Sequence, residues 1–162
     1  MPPALADKTV GVADTMFARY DMGGHAIDTL EQHSDVAVER YTVPGFKDLP
    51  VACKRLIEDH GCDIVLALGM GGSADVDKTS AHEANQALLD VEVETGVHIL
   101  KVMVYEDEAK NREELIDIFE DRITEHATNA LKLLEGKTAL TPDAGEGVRQ
   151  GGPDAGPLGD TR

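Results

Sequence analysis

The sequence predicts an α/β domain in which a four-stranded parallel sheet carries helices on both faces. Three observations predict it. Four short apolar or alternating runs lie along the chain, a helical pattern fills every gap between them, and 162 residues of which 41% are hydrophobic suffice for one domain with a real core. Strict alternation of strand and helix implies parallel pairing, because each helix then serves as the crossover between strands. Right-handed crossovers make a single flavodoxin-like domain the economical arrangement.

The first strand is the apolar run Thr9 to Val12, and Met22 to His33 follows as a helical pattern. Val36 to Thr42 alternates in the manner of a strand. The next helix, Asp48 to His60, is the best punctuated: Asp48 can cap it, Pro50 fits its first turn, and Gly61 ends it. Its stripe is Leu49, Ala52, Cys53, Leu56 and Ile57. Ile64 to Leu68 reads as a buried strand, and a helix from Ser80 to Glu94 follows, where Ser80 and Glu83 fit a capping box. Ile99 to Val104, interrupted by Lys101, is the fourth strand. The last helix, Arg112 to Leu134, places Leu115, Phe119, Ile123, Ala127 and Leu131 in steps of four. The folded domain is thus expected over residues 1–135. From Gly136 onward the periodicity disappears, and seven of the 16 glycines fall in the 136–162 tail with Pro142, Pro153 and Pro157. Such a tail is expected to be disordered or to be ordered against another surface, such as a neighbouring subunit.

Charge narrows the function classes. There are 31 acidic residues against 15 basic ones, a formal charge of −16 spread along the whole chain. That field repels nucleic acid and anionic membranes, so neither is an expected partner. A distributed acidic surface also fits a halophilic cytoplasm, where molar salt cuts the range of self-repulsion to ~3 Å. The apolar runs are too short to span a bilayer and the Met-Pro-Pro-Ala opening lacks a signal pattern, so a cytoplasmic location is expected. Cys53 and Cys62 lack Cys-x-x-Cys spacing and sit in apolar patterns, which predicts buried reduced thiols and no metal site.

In open parallel sheets ligands collect at the carboxyl ends of the strands, here Asp14 to Gly24, Val43 to Asp48, Gly69 to Thr79 and Tyr105 to Ala109. The stretch LGMGGSADVDKTSAHEA invites comparison with a phosphate loop. It fails, because Asp77 stands where the second glycine must be and Asp75 adds another carboxylate to the supposed cradle. Gly69, Gly71 and Gly72 also lack the dinucleotide-binding spacing, and more plausibly let a backbone approach a flat ligand. Lys78 and His82, four apart, share a helix face and suit a cation and a base acting together; a structural histidine is the other reading. Phe17, in a loop with Asp14 and Arg19, is either a lid on the core or a stacking platform for a planar ring. Val43-Pro44-Gly45 before Asp48 suits hydrogen bonding of a polyol through backbone N–H groups, or is a plain turn. Tyr105-Glu106-Asp107-Glu108 is a solvated loop whose position at the sheet edge raises the odds of a role.

The segments GVADTMFARYDMGG, TVPGFKDLPVACKRLIEDHGCDIVLALGM, DKTSAHEA, YEDEA and GVRQGGPDAGP, in this order from about residue 8 to 158, closely resemble archaeal-type riboflavin synthase. More remotely, Val43-Pro44-Gly45, Asp48, Pro50 and Ala67-Leu68-Gly69 resemble segments of lumazine synthase. The resemblance implies a lumazine synthase-like subunit, a homopentamer with active sites between subunits, and 6,7-dimethyl-8-ribityllumazine as the small-molecule substrate. No redox cofactor is implied, since the substrate is its own electron sink. It assigns Phe17 to stacking on a lumazine ring, Thr15 beside it to the substrate-binding set, and Val43, Pro44, Gly45 and Asp48 to the ribityl chain. Gly69, Met70 and Gly71 would approach the pyrimidine system, with Asp107 and Arg149 completing the substrate-binding set. His82 and Lys78, with Glu83 or Asp77 as an orienting carboxylate, would move protons, Lys78 standing where lumazine synthase carries its catalytic histidine. The chain departs from the family pattern at Ser80, commonly cysteine, and at Tyr105, commonly histidine.

Overall fold

The computed structural model describes residues 4–159. Strands β1 (Thr9–Thr15), β2 (Ala37–Val43), β3 (Ile64–Gly71) and β4 (Ile99–Tyr105) alternate with helices α1 (Met22–His33), α2 (Leu49–Glu58), α3 (Asp75–Thr95) and α4 (Arg112–Glu135). All three strand pairs are parallel, and the sheet order is β2-β1-β3-β4. This is the expected α/β architecture, and its chain reversal between β1 and β3 opens the crevice where such folds bind ligands.

Burial explains each strand's pattern. β3 is buried at every position and β1 nearly so, because both lie inside the sheet with helices above and below. β2 is an edge strand whose side chains are mostly exposed, with Val43 buried at its carboxyl end. One core, under α1 and α4, joins Val10, Val12, Met22, Leu30, Phe119 and Ile123. The other, under α2 and α3, joins Ala13, Leu49, Cys53, Leu56, Leu88 and Ile99. Within the second, α2 approaches the sheet so closely that a Cβ on Gly11 would lie 3.1 Å from Cys62 Sγ and 3.2 Å from Leu56 Cδ1. Both cysteines are free and buried, and burial pushes each thiol up to about 12.

Most element ends differ from the sequence reading by a few residues, β1 running to Thr15 for example, and three of the differences bear on the site. α3 begins at Asp75 rather than Ser80, so Ser80 and Glu83 lie inside the helix and form no capping box. Asp75 and Asp77 fill its first turn instead, where carboxylates favour the positive end of the helix dipole. Asp48 stands at the N-cap position of α2 but makes no side-chain cap bond, because its carboxylate accepts from Gly45 N–H and closes a short 3-10 turn, Phe46–Asp48. Gly69 to Gly71, expected in the loop, belong to β3, where Gly69 pairs with Met103 and Gly71 with Tyr105.

After α4 the described part of the tail turns back along the same helix. Gly152 N–H donates to the Asp121 carboxylate at 2.7 Å, and Lys132 pairs with Asp143 at 3.8 Å. The opening Met1–Pro3 and residues 160–162 lie outside the described residues. Among the described residues, no helix is long and apolar enough to cross a membrane.

Candidate active site

The carboxyl edge of the sheet is built from two stitched loops. Beyond β1 the ladder continues, as Met16 N–H donates to Val43 O at 2.9 Å and Phe17 N–H to Pro44 O at 3.2 Å. These two rungs hold the β1 loop beside Val43-Pro44-Gly45 and leave Phe17 58% exposed. Thr15 stays buried, its hydroxyl accepting from Ala18 N–H at 3.4 Å. Beneath it Asp14, 4% exposed, accepts from Arg40 and from the Thr42 hydroxyl, both at 2.6 Å. Arg40 also reaches Asp21 at 2.7 Å, so one guanidinium ties β2 to the end of β1 and the start of α1. Asp21 caps α1 through Gly24 N–H, and that bond, then Arg40, holds its carboxyl below the usual range.

The second loop turns on a reciprocal pair: Gly45 N–H donates to the Asp48 carboxylate at 3.1 Å and Asp48 N–H to Gly45 O at 3.0 Å. The turn lays Phe46 over β3. A Cβ on Gly69 would lie 2.9 Å from Met103 Sδ and 3.2 Å from Phe46 Cβ, and one on Gly71 would lie 3.2 Å from the Tyr105 ring and 3.7 Å from the Phe46 ring. The glycines therefore admit the protein's own Phe46, Met103 and Tyr105 against the strand. Met70, pointing to the opposite face by strand alternation, is fully buried under α1 and α4, its sulfur accepting from Arg19 N–H at 3.3 Å.

At the start of α3 the Asp77 carboxylate folds back over Gly72, where an added Cβ would lie 2.6 Å from it. Lys78 Nζ reaches the Asp107 carboxylate at 2.6 Å, and this hydrogen bond holds the ammonium above its usual range. Asp107 lies in the short turn Glu106–Glu108, anchored at one end by Arg19 on Glu106 (3.0 Å) and at the other by Arg122 on Glu108 (2.7 and 2.9 Å). Burial alone would raise the Glu108 carboxyl, but hydrogen bonds from Arg122 and Tyr105 N–H outweigh it and hold the group below its ordinary value. Glu83 faces the other flank of α3 and lies 3.9 Å from Lys47, while His82 is exposed one turn beyond Lys78.

The structure thus gathers Thr15, Phe17, Val43, Pro44, Gly45 and Asp48 in one loop pair, sets Gly69 and Gly71 beneath Phe46, and joins Lys78 to Asp107. It does not bring Glu83 to Asp107, and Arg149 lies in the tail, whose neighbouring residues pack on α4 across the sheet from α3. Phe46 and Arg122 were missed, and Glu108 was noted only as part of the charged run Tyr105-Glu106-Asp107-Glu108. An aromatic directly after Val-Pro-Gly, with two glycines spaced i, i+2 on a later strand, is the signal that could have found Phe46. Among the described residues, no group of three or more His, Cys, Asp or Glu is placed to hold a metal ion.

Residues 7–138 match the family model for 6,7-dimethyl-8-ribityllumazine synthase. Over 150 residues the chain is 53% identical to the riboflavin synthase of Methanothermobacter thermautotrophicus, covering 92% of this chain and 98% of that protein. The chain belongs to the archaeal-type riboflavin synthase family. The riboflavin synthase of Methanothermobacter marburgensis is 51% identical with the same coverage. Similarity to the 6,7-dimethyl-8-ribityllumazine synthase of Methanopyrus kandleri is weaker and partial, 31% over 97 residues that cover 57% of this chain and 69% of that protein. Within the riboflavin synthase family the match runs through the loops of the carboxyl edge and into the tail, so the site described above lies wholly inside the shared region.

Proposed function

We propose that this chain is a riboflavin synthase: it joins two molecules of 6,7-dimethyl-8-ribityllumazine and moves a four-carbon unit between them. The products are riboflavin and 5-amino-6-ribitylaminouracil. The observation that carries this reading is 53% identity across 98% of an archaeal riboflavin synthase, against a partial match to a lumazine synthase. A ring methyl of the donor loses a proton to give a carbanion-like enamine, which attacks a ring carbon of the acceptor; later eliminations divide the adduct. The lumazine ring delocalises the charge, so the reading includes no redox cofactor. Holding two flat rings in opposed orientation can contribute ~7 to 11 kcal/mol.

In this reading Phe17, 58% exposed, stacks on a lumazine ring, and the turn Val43-Pro44-Gly45-Asp48 faces the ribityl chain. The Gly45 N–H and Asp48 carboxylate now bond to each other, and a ribityl hydroxyl would exchange for that bond. Lys78 and His82, on adjacent turns of α3, serve proton transfer, and the Lys47-paired Glu83 takes the weaker role of fixing the helix against the β2–α2 loop. We place the sites between subunits of a cytoplasmic homopentamer, as the family resemblance implies; the uncovered Met16 (76%) and Phe17 at the rim support a neighbouring surface there.

Purified protein incubated with the lumazine alone in molar salt is expected to release riboflavin, read by its absorbance, and His82→Ala is expected to slow it about 100-fold or more. Binding of the lumazine without turnover would replace the enzyme with a carrier, a reading to which Ser80 and Tyr105 lend slight support. A His82→Ala variant of unchanged rate would remove the base assignment alone.

A further inference from the structure

Lys78 ends in a flexible four-carbon stem, so the position of its ammonium depends on what holds Asp107. Asp107 is the middle residue of the three-residue turn Glu106–Glu108. One anchor of that turn, Arg19 on Glu106, is open to solvent, with side chains 68% and 37% exposed, and such pairs hold little. The other is of a different kind. Arg122 forks both nitrogens onto both oxygens of Glu108 at 2.7 and 2.9 Å, with side chains 26% and 28% exposed, and its Nη1 also donates to Met103 O at 2.8 Å. Glu108 in turn accepts from Tyr105 N–H at 2.8 Å. The end of β4, the turn and α4 are thereby locked together by charge-assisted, bidentate bonds. On the outer side the tail presses on the same residue: a Cβ on Gly151 would lie 3.0 Å from Arg122 Cα.

We infer that Arg122 and Glu108 are a positioning pair that fixes Asp107, and through it the Lys78 ammonium, so that α4 sets the geometry of the cationic end of the site. Neither residue needs to touch substrate. The inference rests on the riboflavin synthase reading for its catalytic consequence, but its geometric half stands on the bonds above.

Groups facing Lys78 are Asp107 and Tyr105 from β4 and its turn, and Asp75 from its own helix. The test is the full-length protein and its Arg122→Gln, Glu108→Gln and Asp107→Asn variants, with the Lys78 ammonium titrated by NMR in the absence of substrate. Asp107→Asn is expected to bring the Lys78 titration down toward that of free lysine. Arg122→Gln and Glu108→Gln are expected to bring it part of the way, to lower kcat about tenfold with KM changed less than twofold, and to move the alkaline limb of the kcat profile to lower pH. Arg122→Lys, which keeps the charge and loses the fork, is expected to rescue only partly. A Lys78 titration unmoved in Arg122→Gln and Glu108→Gln, while Asp107→Asn shifts it, would overturn the inference, as would unchanged kcat. If Arg122→Gln fails to fold, Glu108→Gln, which keeps an acceptor for Tyr105 N–H, decides. Should the parent protein form no riboflavin, the functional reading fails and the Lys78 titration still decides the positioning.

Discussion

Asp14 shows how much one residue can be asked to hold: its carboxylate is 4% exposed, and Arg40 and the Thr42 hydroxyl are its partners. Arg40→Met would leave that charge buried with a single hydroxyl. The variant is expected to lose about 2 kcal/mol at pH 7 in urea unfolding, less than for a fully buried pair because the arginine is 39% exposed. The deficit should narrow in acid. Asp21 has a folded pKa below its unfolded value of 3.8, so its contribution is whole above 3.8 and is lost as pH falls through the lower folded value. Arg40 is one of the groups that depress it, so the part of the deficit that comes from Asp21 should narrow as pH falls below 3.8. Equal unfolding midpoints at pH 7 would show that Asp14 finds another partner. At this scale the sequence indicated residue types and missed pairings: Lys78 and Asp107 were both singled out, but the 2.6 Å bond between them joins elements 29 residues apart.

The turn Phe46–Asp48 and strand β3 make one packing unit, although Phe46 precedes Gly69 by a whole helix. Phe46→Ala is expected to cost about 2 kcal/mol, because the ring is only partly buried, and Gly69→Ala about 1 kcal/mol through overpacking against Met103 and Phe46. The two costs should nearly add, because Phe46→Ala keeps the Cβ that the new methyl meets at 3.2 Å and leaves Met103 Sδ at 2.9 Å. A double-mutant cycle is expected to close within about 0.5 kcal/mol, and a double variant clearly more stable than the sum of the singles would show that the Phe46 ring itself crowds the methyl. The extra rungs that lengthen β3 to Gly71 come from pairing with β4, a long-range bond pattern that hydrophobic periodicity does not encode. The early start of α3 was missed for a related reason. Gly72 to Ala74 suffice for the turn, Gly72 leaving room for the Asp77 carboxylate and Ala74 O accepting from Asp77 and Lys78 N–H, an arrangement that a capping-box pattern at Ser80 conceals.

Over the whole molecule the formal charge of −16 opposes compaction, and screening relieves it. The melting temperature is expected to rise by about 3 °C or more between 0.1 M and ~2 M potassium chloride, where the screening length falls from about 10 Å to under ~3 Å. A flat or falling response would separate the acidic surface from any adaptation to salt. By itself the sequence determined the number, type and order of the elements, the parallel sheet and the family. Each follows from local periodicity, turn residues and motifs that survive without knowledge of distance. The tertiary structure alone decided that the glycines of β3 seat Phe46, that Met70 turns into the opposite core, and that Lys78 meets Asp107 under the hold of Arg122. Those are facts about side chains brought together across the sheet by packing, and no local pattern of residues specifies which of several charged or aromatic groups will meet.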